Sequence, residues 1–451
     1  MPGPVNCPQL YANTLKICSV AAALLLPTVP AQPAFAQAVA PEPPATAAHG
    51  RVHLELPAFD APFNWSDGYS APSMAQSLAV AKNVFGLAHY GLDQFAPGRT
   101  TIWEGLGIVG FDIFMFWLPF GDSWVHEEWH RAVMTHRQVD SYDDLYDFPI
   151  FSDAIAVSHE LDADLVRMKL DHPADFVRLP AAGIEGEHEL LLAMEKDSFF
   201  HDAPGFNQGL YWLTKLNSLL YVRASGSSDA NRFTDEANQR ETEIAERDFT
   251  GMDFTAWVYD LHRPDEPYAA RGAHPSGIGL DRYIRYDDLS AREQRYLHLQ
   301  AGLQALNFLD PNLIGFRRFN AGDGVSWMLS AYHLLSPFGF DAGLNGFLRG
   351  PRHGLFMRLH NYSSAGHPWL PGLEAEGIAL PVAVAGDTIY LTPRVALWLQ
   401  PERLRFEGTG VRPGALLGTR AAWPLSEELR LYVEADAKTA GWVPGNVYLD
   451  P

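Results

Sequence analysis

From about Ser73 to Phe340 apolar residues recur mostly at helical spacing, and after about Gly350 the pattern changes to strict alternation. In the first stretch Asp122 and Ser123 are cap residues for a helix running to about His136. A second helix is expected from Asp153 until Pro173 stops it, and Ser290 with Glu293 has capping-box spacing before a third that ends near Asp310-Pro311. Residues 224–250, with Gly-Ser-Ser and many charges, read as a polar insertion or a solvated helix. In the last hundred residues Ile389, Leu391, Val395, Leu397 and Leu399 share one strand face, and Leu429, Leu431, Val433, Ala435 and Ala437 share another. Turn signals at Gly386-Asp387, Gly408–Gly410, Pro424–Glu427 and Gly445-Asn446 separate these runs. The pattern predicts an α+β protein: a largely helical domain over residues 71–349, then an antiparallel β domain over 350–451.

The amino terminus changes this picture. The first 36 residues carry one charge, Lys16, then an apolar run from Ile17 to Leu26 and a small-residue tract ending Ala34-Phe35-Ala36. That is the layout of a secretory signal peptide (residues 1–36); as a membrane anchor the run is shorter than the ~20 residues a spanning helix needs. A Pro/Ala-rich linker follows over 37–70. Cys7 and Cys18 both lie in the leader, so the processed chain forms no disulfide and no thiolate metal site.

Of 451 residues 54 are Asp or Glu against 33 Lys or Arg, a net charge of -21, which repels a phosphate backbone and excludes nucleic acid as a partner. Mean hydropathy of -0.11 excludes a polytopic membrane protein. An exported, acidic, cysteine-free chain is expected in a Gram-negative envelope, in the periplasm or associated with the outer membrane. The alternating strands also suit outer-membrane lengths, so membrane association is open at this stage. Residues 102–121 are the most apolar stretch, with Asp112 near the centre costing about 2.5–3.5 kcal/mol on the insertion scale. A buried core helix and one that dips into a membrane surface are both compatible. The Gly105, Gly107 and Gly110 spacing in that stretch imitates a dinucleotide fingerprint but lacks a preceding strand, and is read as close helix packing.

Chemistry enters at His126-Glu127-Glu128-Trp129-His130, an H-E-x-x-H pentapeptide inside the first predicted helix. A spacing of four puts both imidazoles on one helix face, where they can hold one Zn²⁺, with Glu127 placed to take a proton from water. Thirty residues on stands His159-Glu160-Leu161-Asp162-Ala163-Asp164. A catalytic zinc takes a third protein ligand, which Glu160 can supply from a neighbouring helix, while Asp164, one turn on, can orient a ligating histidine. At these residues, Val125 to Asp164, the chain resembles the gluzincin metallopeptidases, particularly the CAAX prenyl protease group and its bacterial relatives. Those enzymes pair H-E-x-x-H with a later E-x-x-x-D. The resemblance implies a zincin-like helical domain and a zinc endopeptidase acting on a protein or peptide, with ligands His126, His130 and Glu160 and general base Glu127.

Other readings compete. The acidic residues Asp140, Asp143, Asp144 and Asp147 read as a solvated loop, and His159, Tyr142 and His188 are candidates to stabilise an oxyanion. Glu127-x-x-His130 recurs as Glu185-x-x-His188, with Glu104 and Glu160 one helix before each, the ligand order of a di-iron oxidase or oxygenase bundle. Against that, Gly183 and Gly186 weaken the last helix. The third reading is a non-catalytic envelope protein whose H-E-x-x-H lies on an ordinary amphipathic helix.

Overall fold

The computed structural model describes residues 52–60, 69–95, 102–116, 121–147, 156–201 and 208–450. The expected signal peptide and most of the expected linker lie outside them. The chain enters as strand β1 (Leu54–Pro57), followed by helices α1 (Met74–Phe95), α2 (Ile102–Phe116) and α3 (Asp122–His136). The short strands β2 (Tyr142–Asp143) and β3 (Val157–Ser158) form a two-stranded ladder. Then come α4 (Asp162–Asp171), α5 (Pro173–Arg178), α6 (Ala182–Phe200), α7 (Gln208–Ser225), α8 (Asp229–Arg240), α9 (Asp253–His262) and α10 (Ala291–Leu303). The large sheet is β4 (Phe319–Gly322), β5 (Val325–Ser336), β6 (Gly339–Arg349), β7 (Gly354–Ser363), β8 (Leu370–Ile378), β9 (Leu380–Val384), β10 (Asp387–Pro401), β11 (Val411–Pro424) and β12 (Leu429–Lys438).

This is the expected α+β arrangement, helices followed by a sheet. The order across the sheet is β1-β12-β11-β10-β8-β7-β6-β5-β4, with β9 paired to β10, and every pairing is antiparallel except β1 with β12. Two boundaries differ from expectation. The strands begin at Phe319 rather than near Gly350, because β5 and β6 alternate as regularly as the later strands but contain the glycines and aromatics that blurred their period. Leu54–Pro57, placed in the linker, adds to the edge of β12. Helices and sheet belong to one compact unit.

Local chemistry explains several ends. α10 starts at the expected capping box, Ser290 Oγ accepting from Glu293 N–H and Glu293 returning the bond to Ser290 N–H at 2.6 Å. α3 ends at His136 as expected, but its N-cap is Gly121, and the Asp122 carboxylate is buried and accepts from Thr214 Oγ1 at 3.1 Å. Residues 229–240 form the solvated helix option. The acidic stretch is solvated only in part: Asp140 and Asp147 are exposed, but Asp143 is buried in β2, accepting from Leu145 N–H, and Asp144 accepts from Ser158 Oγ at 2.7 Å. The apolar stretch gives α2, whose Asp112 is buried and bonded to His89 Nε2 at 2.6 Å. Gly107 and Gly110 face open space, so close packing is not their role. Among the described residues no helix is long and apolar enough to cross a membrane.

One helix joins the two halves. α6 packs Leu192, Phe199 and Phe200 on Met328, Phe347 and Phe356 of the sheet, and its Glu189 and Lys196 pair with Arg358 and Glu376 at 2.8 and 2.7 Å. At its start Glu185 takes a two-point bond from buried Arg178 (3.0 and 2.6 Å). Arg178 also donates to the carbonyls of Asn446 and Val447, and Glu185 accepts from Gly445 N–H, so this pair pins the tail that follows β12. Breaking a buried pair leaves its partner uncompensated. Arg178→Ala is therefore expected to lower stability by about 3–5 kcal/mol in urea unfolding, with the tail becoming protease-sensitive first.

Candidate metal centre

The H-E-x-x-H helix delivers what its spacing predicts. His126 and His130 lie one turn apart on α3, their rings 4.9 Å apart, and both are buried. The third residue is Asp253, whose Oδ2 is 3.0 Å from His126 Nε2 and 3.6 Å from His130 Nε2. Asp253 opens α9, and local backbone chemistry aims it there. Asp248 accepts from the N–H groups of Thr250 and Gly251, Gly251 takes a left-handed φ of 73°, and Met252 returns to extended backbone as the N-cap.

The cluster fits a metal ion by three observations. Four-coordinate zinc with bonds of about 2.0–2.2 Å sets its ligand atoms about 3.3–3.4 Å apart, and 3.0 and 3.6 Å bracket that spacing. His130 donates Nδ1–H to the Leu179 carbonyl at 2.7 Å, which fixes the tautomer and leaves Nε2 buried without a hydrogen-bond partner. The third observation is Gly183, on α6. A β-carbon there would stand 2.6 Å from His130 Nε2 and closer still to His126 Nε2, so the missing side chain leaves room beside both ligand atoms. These three side chains can hold a metal ion.

His126 is oriented from behind. Its Nδ1 lies 2.8 Å from Glu187 Oε1, and Glu187 is in turn held by Asn217 Nδ2 at 3.2 Å and by Ser218 Oγ. A carboxylate on the far nitrogen of a histidine raises that ring's basicity and fixes its plane. Burial opposes a charge on His126, but the bonds to Asp253 and Glu187 outweigh it and raise its pKa well above the ordinary value. Burial likewise pushes the Asp253 carboxyl up, and His130 and His126 overcome this to hold it at about 2. Glu127 is different: burial raises its pKa, with His126 and His130 opposing and Asp253 and Glu128 reinforcing. What solvent reaches the cluster does so at His126 and Glu127, 7% and 9% exposed, against 1% for His130.

Two sequence expectations are corrected. Glu160 is not with the histidines: it precedes α4, which starts only at Asp162, and is fully buried against Arg282 Nη1 at 3.1 Å. Burial pushes its carboxyl up to about 8 against the pull of Arg282. Asp164 pairs with Arg167 at 2.5 Å on α4 instead of orienting a ligand. Glu187 holds the orienting position.

The di-iron set is not assembled among the described residues either. Glu185 is committed to Arg178, and His188 lines a separate small cavity with Glu195 and Lys215, where burial and the nearby His333 and Lys215 hold its imidazole at about 3. The Glu104 side chain lies outside the described residues. His159 and Tyr142 pack on each other, with ring centroids 5.3 Å apart. Two aromatic rings flank the histidines: Phe249 lies 5.0 Å from the His130 ring, and Tyr221 lies 5.9 Å from the His126 ring, its hydroxyl oxygen accepting from Asp253 N–H at 3.4 Å.

No family model matches this sequence, and no characterised protein or solved structure is significantly similar to it. The likeness to gluzincins therefore rests on the pentapeptide at His126 to His130.

Gly183 supplies the sharpest check on the centre. Gly183→Ala is expected to reduce bound metal at least tenfold, measured by metal analysis of purified protein, while Gly91→Ala, at an open helix position, leaves it unchanged.

Proposed function

We propose that the chain is a metal-dependent hydrolase of the zinc endopeptidase type, with His126, His130 and Asp253 as ligands and Glu127 as general base. One observation carries this reading: the Nε2 atoms of the pentapeptide converge with a carboxylate oxygen, while Glu127, held between them in sequence, has a raised pKa. Two histidines and one carboxylate also suit mononuclear iron(II), and it is Glu127 that favours hydrolysis, since an oxygenase site has no use for a base there.

Zinc held there would supply a Lewis acid that polarises a peptide carbonyl and lowers the pKa of water. The residues do the rest. Burial keeps Glu127 a stronger base than an exposed glutamate, so it takes the proton of the attacking water and returns it to the leaving amine. Glu187 holds the His126 ring in plane. Tyr221 stays protonated, because burial and then Asp253 and Glu127 raise its pKa well above the ordinary value, and its O–H is free to point at a developing oxyanion. The substrate class is a polypeptide, and the compartment consistent with the leader is the envelope.

Glu127→Gln is expected to keep the metal, since that residue is no ligand, and to lose at least a thousandfold in kcat on an unfolded protein substrate such as casein. Tyr221→Phe is expected to fall about 100-fold in kcat with little change in KM. Undiminished cleavage by Glu127→Gln would exclude the mechanism.

A further inference from the structure

The large sheet carries its charged residues on the inner face, among the apolar residues that pack on the helices, and almost none on the outer face. In a water-soluble sheet that packs on helices, strand residues facing the helices are apolar and those facing solvent are polar. Here the positions facing α6 and the interior carry Arg358, Glu374, Glu376, Arg394, Arg420 and Glu434, bound to each other and to the helices. The opposite face is apolar and exposed except at the end of β5, where His333 and Leu335 are buried against the helices. Register partners Ala415, Leu397, Leu373, Leu359, Leu344 and Ala331 make one row across six strands. Leu417, Val395, Ala375, Met357, Gly346 and Leu329 make the next. Leu417 is 70% exposed, Leu397 56% and Leu359 51%. From β5 to β12 no Asp, Glu, Lys or Arg takes an outward position except Asp387, at the β9–β10 turn.

We propose that this outward face is set against the hydrocarbon of a lipid bilayer, with the helices and the metal-binding cluster on its polar side. The inference goes beyond the reading of the metal site and does not depend on it. Apolar-out, polar-in alternation is the signature of strands in an outer membrane, and an uncharged face this continuous is incompatible with permanent exposure to water. The dimensions agree. On β10 the outward row runs from Ile389 to Leu399, ten steps of about 3.3 Å, which at the ~40–45° tilt of membrane strands projects to about 23–25 Å, the height of an apolar band. Exposed Trp327 and Trp423 stand on this face towards the β4–β5 and β11–β12 turns, where an aromatic belt meets the headgroups.

Lipid disfavours an open hydrogen-bonding edge, and the chain itself covers part of each long edge. Beyond β4, Ala331 N–H on β5 donates to the Leu309 carbonyl at 2.9 Å and His333 N–H to Asn307 Oδ1 at 2.8 Å. At the other side β1 covers Leu429–Tyr432, the first four residues of β12. Curvature decides against a second copy of the chain as the occupant. α6 meets β5 through Glu195 and Ser330, and its Glu189 and Lys196 share a cavity of about 200 Å³ with Glu434 of β12. Those strands lie six steps apart, about 29 Å on a flat sheet at ~4.8 Å per step, against a helix about 10–12 Å wide. The sheet curls around α6, its outward face is convex, and two convex faces do not pack along their length.

The test uses the full chain, synthesised cell-free with dioleoylphosphatidylcholine vesicles. The expected result is that the protein floats with the vesicles and stays with them in carbonate at pH 11. The Leu359→Arg, Leu397→Arg double variant should lose at least tenfold in the floating fraction, whereas Asp387→Arg floats like the parent. With Cys7→Ser and Cys18→Ser in place, an environment-sensitive dye on Leu359→Cys should be quenched by a bilayer-centre quencher, and one on Asp387→Cys should not. Unchanged circular dichroism in the arginine variant excludes misfolding as the cause. A parent chain that stays in the aqueous fraction, or an arginine variant that floats equally, overturns the proposal. A detergent-free dimer that the arginine pair dissociates assigns the face to a second copy and overturns it as well.

Discussion

How closely helices α3 and α6 can approach one another governs the geometry of the site. Gly183 lies beside Nε2 of both histidines, and at Gly186 a β-carbon would stand 2.8 Å from the Trp129 ring, which is completely buried in the same contact. With larger residues at these two positions the helices would separate by the thickness of a methyl group or more. The carbonyl of Leu179, just before α6, would then leave His130 Nδ1, and Glu187 would leave His126 Nδ1. Tautomer, ring plane and ligand convergence therefore share one cause, a helix that gives up propensity at two positions so that its neighbour can come close.

The same helix reaches in the other direction. Gly183, Gly186 and Glu187 of α6 serve the histidines, while Glu189, Glu195 and Lys196, farther along, bond Arg358, Ser330 and Glu376 of the sheet. The Arg178–Glu185 pair ties the segment after β12 to its first turn. The candidate metal cluster, carried by α3 and α9, thus rests against a helix that is tied to the segment after β12 at its start and to the sheet farther along, which suits a site whose side chains must hold their spacing to within tenths of an ångström. It also explains why the sheet's interior is charged: those strands receive a polar helix face.

The sequence made some of this legible and hid the rest, for physical reasons. A fourfold histidine spacing on one helix is local, so His126, His130 and the adjacent Glu127 could be read directly, as could the capping box at Ser290 and the strand faces of β10 and β12. Asp253 could not, because a ligand 123 positions after His130 is brought there by tertiary folding, and an Asp at a helix start reads first as a cap. Glu160 can take that place only on a helix that begins before it, as the cap at Asp153 suggests. The later start of that helix leaves Glu160 off the helix face and within reach of Arg282. Gly183 and Gly186 were visible but counted against their helix, when two glycines three apart in an otherwise strongly helical segment signal a close neighbour. In β6 the alternation is present but interrupted by glycine at positions 343 and 346, and at Gly343 the neighbouring Leu359 carbonyl and Tyr332 hydroxyl leave no room for a β-carbon.

The most direct test of the central claim, that Asp253 completes the histidine pair, is the metal content of two purified variants measured side by side. Asp253→Ala should lose the metal while Glu160→Ala, provided it folds, keeps one ion per chain, with X-ray absorption of the parent showing two imidazoles and one carboxylate on zinc. Metal retained in Asp253→Ala and lost in a folded Glu160→Ala would contradict the account and return the third ligand to Glu160.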